Sequence, residues 1–167
     1  MDVTEATWED EVIERSHREP VVVDFWAEWC GPCRALGPVI EEAAGARGVA
    51  LAKLDVDANQ RIAAEHGIRG IPAVKAFRNG HVVSEFVGAV PKPHVEAWLD
   101  ELTRPGVAET TADPELKAAL EAYDYEAAFE LLLARKDRET MVALFAELGH
   151  EHPLVMRYRR RLAAALY

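Results

Sequence analysis

Two cysteines separated by two residues stand in Trp29-Cys30-Gly31-Pro32-Cys33, after the apolar run Val21-Val22-Val23-Asp24-Phe25-Trp26 and before a segment of helical pattern. That places them at a strand-to-helix junction, where a pair at i and i+3 suits the roughly 4.4–6.8 Å Cα separation that a disulfide requires. The chemistry this permits is alternation between dithiol and disulfide. The first thiol meets the unsatisfied N–H groups and the positive end of a helix dipole, which favour its thiolate. Cys30 is accordingly expected to be an exposed nucleophile, and Cys33 a shielded partner that resolves the mixed disulfide. Pro32 suits a first helical turn, where its missing N–H is no loss. Half a zinc site is the main alternative, but zinc takes four ligands, usually a second Cys-x-x-Cys or paired His. There is no third cysteine, and the six histidines are scattered, with His150 and His152 the closest pair. No metal and no cofactor are therefore expected. A purely structural disulfide is the other reading of the pair.

The chain has 167 residues, enough for one domain of ordinary size and a small one, and 50% of them are hydrophobic. A net charge of −10 and a pI near 5.1 argue against nucleic acid or an anionic membrane as a partner. Met1-Asp2-Val3-Thr4-Glu5 is acidic and holds no apolar core of a secretory signal. No run approaches the ~18 apolar residues of a membrane span. Both cysteines belong to the motif, so no extracellular disulfide framework is expected. A cytoplasmic protein is predicted, in which a Cys-x-x-Cys beside a βα unit reads as catalytic.

The elements that must position this pair follow in chain order. Thr7 with Asp10 is a capping-box-like start, and Trp8, Val12, Ile13 and Ser16 hold one helical face to about Arg18, where Glu19-Pro20 stops it. Val21 to Trp26 is too continuously apolar for a half-exposed strand and is predicted to be central, covered on both faces. Asp24 within it needs a partner or a purpose. A helix runs on from Cys33 to about Ala46, with a kink at Pro38. Val49 to Val56 is the next strand, and Asn59 to His66 a short helix closed by Gly67. Gly70-Ile71-Pro72 leads into a third strand, Ala73 to Arg78. Asn79-Gly80 is a strong hairpin signal, and His81 to Val87 is the antiparallel return, ended by Gly88. Pro91 to Thr103 is a final helix with Val95, Trp98, Leu99 and Leu102 inward. The predicted class is α/β, a central mixed sheet flanked by helices on both faces.

Asp24-Phe25-Trp26-Ala27-Glu28-Trp29-Cys30-Gly31-Pro32-Cys33, with Lys53, Ile71-Pro72, Asn79-Gly80 and Gly88 at matching intervals, resembles the thioredoxin family from about Thr7 to Thr103. The resemblance implies a thioredoxin fold and a cis Ile71-Pro72 bond facing the cysteines, whereas a plain turn proline is the bland alternative. It implies that the Ile71 backbone receives an extended substrate as an added strand. Gly31, Pro32, Ile71, Pro72 and Gly88 then belong to the docking surface, which Trp29 helps to shape. It implies further that Asp24 lies buried behind Cys33 with a raised pKa, ready to take the thiol proton, and that Lys53 stands beside it as a counter-charge. A structural Asp24–Lys53 pair without catalytic duty is the alternative. There are departures. Arg34 stands where the family usually has Lys, the first strand is reduced to at most Val3-Thr4, and Lys75 interrupts an inner strand. That lysine is expected to snorkel along the sheet face or to meet a carboxylate that the sequence does not identify.

Residues 1–105 are thus expected to form the thioredoxin domain. Arg104-Pro105-Gly106 opens a compositional linker, placed at 106–112, and 113–167 read as wholly helical. Asp113-Pro114 starts one helix (Leu116, Ala119, Leu120 and Tyr123 on one side), Asp124 caps a second (Ala127, Ala128, Leu131, Leu132) and Asp137 a third (Met141, Leu144, Phe145, Leu148). Pro153 heads a fourth, with Leu154, Tyr158, Leu162 and Leu166 spaced by four and Arg157, Arg159, Arg160 and Arg161 on its other faces. Tyr123-Asp124-Tyr125-Glu126-Ala127-Ala128 is similar to the turn of a tetratricopeptide repeat, of which roughly three are needed for a free-standing array. Together with Val74-Lys75-Ala76-Phe77-Arg78-Asn79-Gly80 and the closing His152-Pro153-Leu154-Val155, this arrangement resembles the chaperedoxins, from which the chain differs in being short by a repeat. The resemblance implies protein substrates with disulfides, a thioredoxin reductase, and unfolded clients or a chaperonin bound through the C-terminal helices. An enzyme reducing protein disulfides and an adaptor whose redox activity is secondary are both compatible with it.

Overall fold

The run Val21–Trp26 forms β1, and all but its last residue are buried, as a strand covered on both faces requires. The computed structural model describes residues 1–165 and divides after Arg104 into two units. In the first unit β1 lies inside a four-stranded sheet of order β2-β1-β3-β4. It pairs in parallel with β2 (Ala50–Asp55) and antiparallel with β3 (Ala73–Arg78), which in turn pairs antiparallel with β4 (His81–Val87). The helices are α1 (Gly31–Ala46), α2 (Gln60–Glu65) and α3 (Lys92–Leu102). The pleat sends alternate residues to opposite faces. Val21, Val23 and Phe25 pack with Trp8, Val12 and Ile62, while Val22 packs with Leu36 and Ile40 of α1 and Leu99 of α3. Asp24, the next even position, is thereby placed on the α1 face. α1 runs through Pro38, which has no N–H to give to the Arg34 carbonyl one turn back.

Local chemistry sets the remaining turns. Asn79 and Gly80 have φ of 52° and 76°, the two left-handed residues of a tight hairpin, with Arg78 opposite His81. Gly67 closes α2 at φ 64°. The first strand is reduced to one bridge, Asp2 with Lys53, and the Val3 N–H donates to the Lys53 carbonyl at 2.9 Å. Lys75 finds its carboxylate across the hairpin: Glu85 is its register partner and its ion pair.

The N-terminal helix departs from expectation. Glu9–Glu14 is wound as a π-helix and Arg15–His17 as a 3-10 turn, and the Thr7 hydroxyl accepts from the Thr4 N–H at 3.0 Å instead of capping a helix. Trp8, Val12 and Ser16 are all buried at spacing four. An ordinary helix would rotate each of these by about 40° from the last, and the wider winding reduces that drift. Ser16 is fixed by donating to the Ile13 carbonyl at 2.6 Å and accepting from the Gly80 N–H at 2.8 Å.

The second unit is helical: α4 (Val107–Thr110), α5 (Pro114–Glu121), α6 (Tyr125–Arg135), α7 (Arg138–Leu148) and α8 (Pro153–Ala165). Asp113, Asp124 and Asp137 cap α5, α6 and α7 through their carboxylates, as their positions imply. The core stacks Phe129 on Tyr158 at 4.8 Å and sets Phe129 against Phe145 at 5.3 Å. Three expectations need correction. Segment 106–112 is not plain linker, because α4 lies within it and Val107 enters the core. Glu109 accepts from the Gly106 N–H and Glu147 from the Val107 N–H, each at 2.8 Å, so the start of α4 is held partly by α7. Tyr123 is 55% exposed, because at φ 57° it closes α5 instead of continuing it. In α6, Phe129 takes the core place expected for Leu131, which is only half-buried. On α8, Val155 and Tyr158 are buried, and Leu166 lies outside the described residues. Arg157 and Arg161 pair with Glu126 and Glu130 of α6.

Candidate functional site

β1 leads through Ala27 into Cys30, the N-cap of α1, and Pro32 occupies the first helical turn. The two cysteines form a disulfide with Cα atoms 5.3 Å apart. The Cys33 N–H donates to Cys30 Sγ at 3.2 Å, so an amide at the helix start points at the sulfur expected to carry charge. Cys30 and Cys33 are only 3% and 4% exposed. The expected contrast between an open and a shielded sulfur is therefore absent in the disulfide form. Ala27 packs with both sulfurs, and Trp26, Val56 and Ile71 close around them. The exposed surface belongs to the neighbours: Gly31 and Pro32 are open, and Trp29 is 69% exposed, its Nε1–H donating to Asp57 Oδ2 at 2.8 Å.

Ile71-Pro72 is cis, and Ile71 lies against the cysteine cluster. The Gly88 N–H donates to the Pro72 carbonyl at 2.7 Å, which ties the end of β4 to this loop. Gly88 has φ 95°, a conformation that suits glycine. The sequence-predicted residues Cys30, Cys33, Ile71, Pro72 and Gly88 are thus drawn together from α1, the approach to β3 and the end of β4.

Asp24 is 1% exposed, and its Oδ1 has no hydrogen-bond partner. Burial pushes its pKa from 3.8 up to about 6; Lys53 pulls it down and Glu41 pushes it up. Lys53 is the β2 register partner of Asp24, as expected of a neighbouring counter-charge. Its ion pair, however, is with Glu41 Oε1 of α1 at 2.7 Å, and its ammonium lies 5.6 Å from the Trp26 ring centre. That hydrogen bond to Glu41 raises the lysine's own pKa. Sequence reasoning missed Glu41 and Asp57. Glu41 was within reach, since Cys33, Gly37 and Glu41 follow one another at the i+4 spacing of one helix face. Nothing local in the sequence pairs Asp57 with Trp29.

This arrangement can form and break a disulfide at a helix start, and the strand that leads into it carries a buried carboxyl of raised proton affinity. The thioredoxin family model matches residues 1–101, and a tetratricopeptide repeat model matches residues 112–167. The chain is similar to the thioredoxin of Rhodospirillum rubrum, 41% identical over 100 residues that make up 59% of this chain and 94% of that protein. It is similar to thioredoxin 1 of Synechococcus elongatus, 46% identical over 101 residues, 59% of this chain and 92% of the other. Thioredoxin 2 of Chlorobaculum tepidum is 45% identical over 103 residues, 60% and 93% of the two chains. These matches account for the first unit and leave the second to the repeat model alone. On the disulfide at the head of α1, the mixed sheet behind it and these matches, the chain belongs to the thioredoxin family, with tetratricopeptide-like helices following its thioredoxin fold.

Proposed function

We propose that this chain is a protein-disulfide reductase of the thioredoxin type, acting in the cytoplasm within a chaperedoxin-like co-chaperone. The observation that carries the enzymatic reading is the Cys30–Cys33 disulfide with the cis Ile71-Pro72 loop packed against it. In the dithiol form the Cys30 thiolate attacks a disulfide of a protein substrate; a mixed disulfide forms, and one substrate sulfur leaves as a thiolate. The Cys33 thiol then passes its proton to the Asp24 carboxylate, and its sulfur attacks Cys30 Sγ. The bond from Cys30 to the substrate breaks, the second substrate sulfur leaves as a thiolate, and the Cys30–Cys33 disulfide remains. A thioredoxin reductase returns two electrons and two protons to restore the dithiol. With a pKa of about 6, Asp24 is mostly ionised at pH 7 and still basic enough to hold the proton. Trp29, Gly31, Pro32, Ile71, Pro72 and Gly88 form the docking surface, with the substrate extended along the Ile71 backbone. Lys53 moderates the Asp24 charge.

The second half of the proposal assigns protein recognition to the helices, with unfolded clients or a chaperonin as partners. It is supported by the repeat match and by a separate core that leaves Tyr123, Val142 and Met156 about half exposed. An adaptor in which redox activity is secondary is the alternative. Two variants decide. Cys30→Ser is expected to abolish disulfide reduction, and retained reduction would end the enzymatic reading. Deleting 105–167 leaves a segment of the length at which the curated relatives stand alone. Reduction is expected to persist in it while aggregation suppression and chaperonin capture are lost; retention of those two would end the adaptor role.

A further inference from the structure

The cation next to Asp24 is held by a third group. Lys53 and Asp24 are register partners on adjacent parallel strands, so the two side chains leave the sheet on the same face. A lysine free to choose would swing to the buried carboxylate, whose Oδ1 has no hydrogen-bond partner. Instead its Nζ is 2.7 Å from Glu41 Oε1, two helical turns beyond Cys33. Gly37 borders that path: a Cβ added there would meet the ammonium in ordinary van der Waals contact at 3.7 Å. The charged groups acting on Asp24 are Lys53 from β2 and Glu41 from α1, and its partner on β3 is the apolar Val74. Asp2, bridged to Lys53, adds to the field on the lysine.

We propose that Glu41 is a positioning residue for the reaction: by holding the Lys53 ammonium on its own carboxylate, it keeps that cation from neutralising Asp24 and leaves the buried carboxyl able to take the Cys33 proton. The inference rests on the base role proposed for Asp24. Its physics is competition for one cation. A buried carboxylate in full contact with an ammonium is a weak base, and one whose counter-charge is drawn away is a stronger one. Glu41 acts twice in the same direction, by sequestering the lysine and by adding its own negative charge. The proton affinity of Asp24 is raised chiefly by burial; Lys53 lowers it and the charge of Glu41 raises it. Glu41 itself is half exposed and lies two helical turns beyond Cys33.

The test uses the full chain and two readouts. The first is the titration of Asp24 in the oxidised protein, followed by carbon NMR of labelled aspartate, which needs no turnover. Glu41→Ala is expected to lower its midpoint by about half a pH unit to one unit, and Glu41→Asp by less. The second is kcat for disulfide reduction against pH. Glu41→Ala is expected to shift the profile in the same direction and to lower kcat roughly twofold, with KM unchanged, because a weaker base assists proton removal less. In a Lys53→Met background the effect of Glu41→Ala is expected to shrink, since the cation it holds is gone. An Asp24 titration unmoved by Glu41→Ala would overturn the proposal, as would an effect undiminished in the Lys53→Met background. Asp24→Asn separates the two claims: a kcat profile unchanged by that substitution overturns the base role, whereas a changed profile with an unmoved Glu41→Ala titration overturns the role of Glu41 alone.

Discussion

Replacing Asp24 by Ala is expected to make the first unit more stable at pH 8 and less stable at pH 4. Its carboxyl is raised from 3.8 to about 6 by burial, so the fold binds that proton more tightly than the unfolded chain does. Stability contributed by the proton is fully present below the unfolded value and is lost as pH rises through the folded one. A shift of about 2 units, at about 1.4 kcal/mol each, amounts to about 3 kcal/mol lost between pH 4 and 7. Alanine removes that loss and introduces a small void that costs about 1 kcal/mol. The net gain is about 2 kcal/mol at pH 8, equivalent to roughly 10 °C in Tm for a unit of this size, and it turns into a loss of about 1 kcal/mol at pH 4. His66, packed 4.9 Å from the Trp8 ring, has its pKa lowered by burial and so contributes to the pH dependence with the opposite sign. The difference between variant and parent cancels it. All four tryptophans (Trp8, Trp26, Trp29 and Trp98) lie in the first unit, so urea unfolding followed by their fluorescence reports on it selectively. A difference that does not vary between pH 4 and pH 8 would refute the argument that burial of this carboxyl, and not a fixed ion pair, sets its proton affinity.

Other outcomes follow from single contacts. Asp137→Ala removes the carboxylate that accepts from the Thr140 N–H at 3.0 Å, and is expected to cost the second unit about 1 kcal/mol in thermal unfolding followed by tyrosine absorbance. Phe129→Ala empties the centre of the Phe145–Tyr158 stack and is expected to cost about 3–5 kcal/mol there, with the tryptophan transition of the first unit unchanged. Gly80→Ala forces a Cβ into φ 76° and is expected to cost about 1 kcal/mol in urea unfolding read by tryptophan.

What could be read in the chain, and what could not, follows from the range of the forces involved. The central position of β1 was legible because five apolar residues in a run of six carry the burial signal themselves, and the hairpin because Asn79 and Gly80 tolerate the required φ. Lys75 shows where counting along the chain ends. Counted back from the Asn79-Gly80 turn, Lys75 falls opposite Ser84, a hydroxyl. The irregularity between Ala76 and Phe77 shifts the pairing by one and delivers Glu85. The start of α4 depends on Glu147, forty residues away, so a Pro-Gly composition concealed it. The winding of Glu9–Glu14 likewise answers to the sheet against which Trp8, Val12 and Ser16 pack. At the site, the pair and its helix were legible; the equal burial of the two sulfurs was not, because Ile71 and Val56 arrive from elsewhere in the fold.

Pro38 has a mechanical consequence for the redox centre. With no amide hydrogen at that position, α1 lacks one rung between the turn that bears the sulfurs and the stretch from Ile40 to Ala44 anchored on Leu99 and Leu102. The head of the helix is therefore sewn more loosely to its shaft than an unbroken ladder would allow. Leu36 and Ile40, on either side of that seam, share one core, so side-chain packing carries across it what the backbone leaves unjoined.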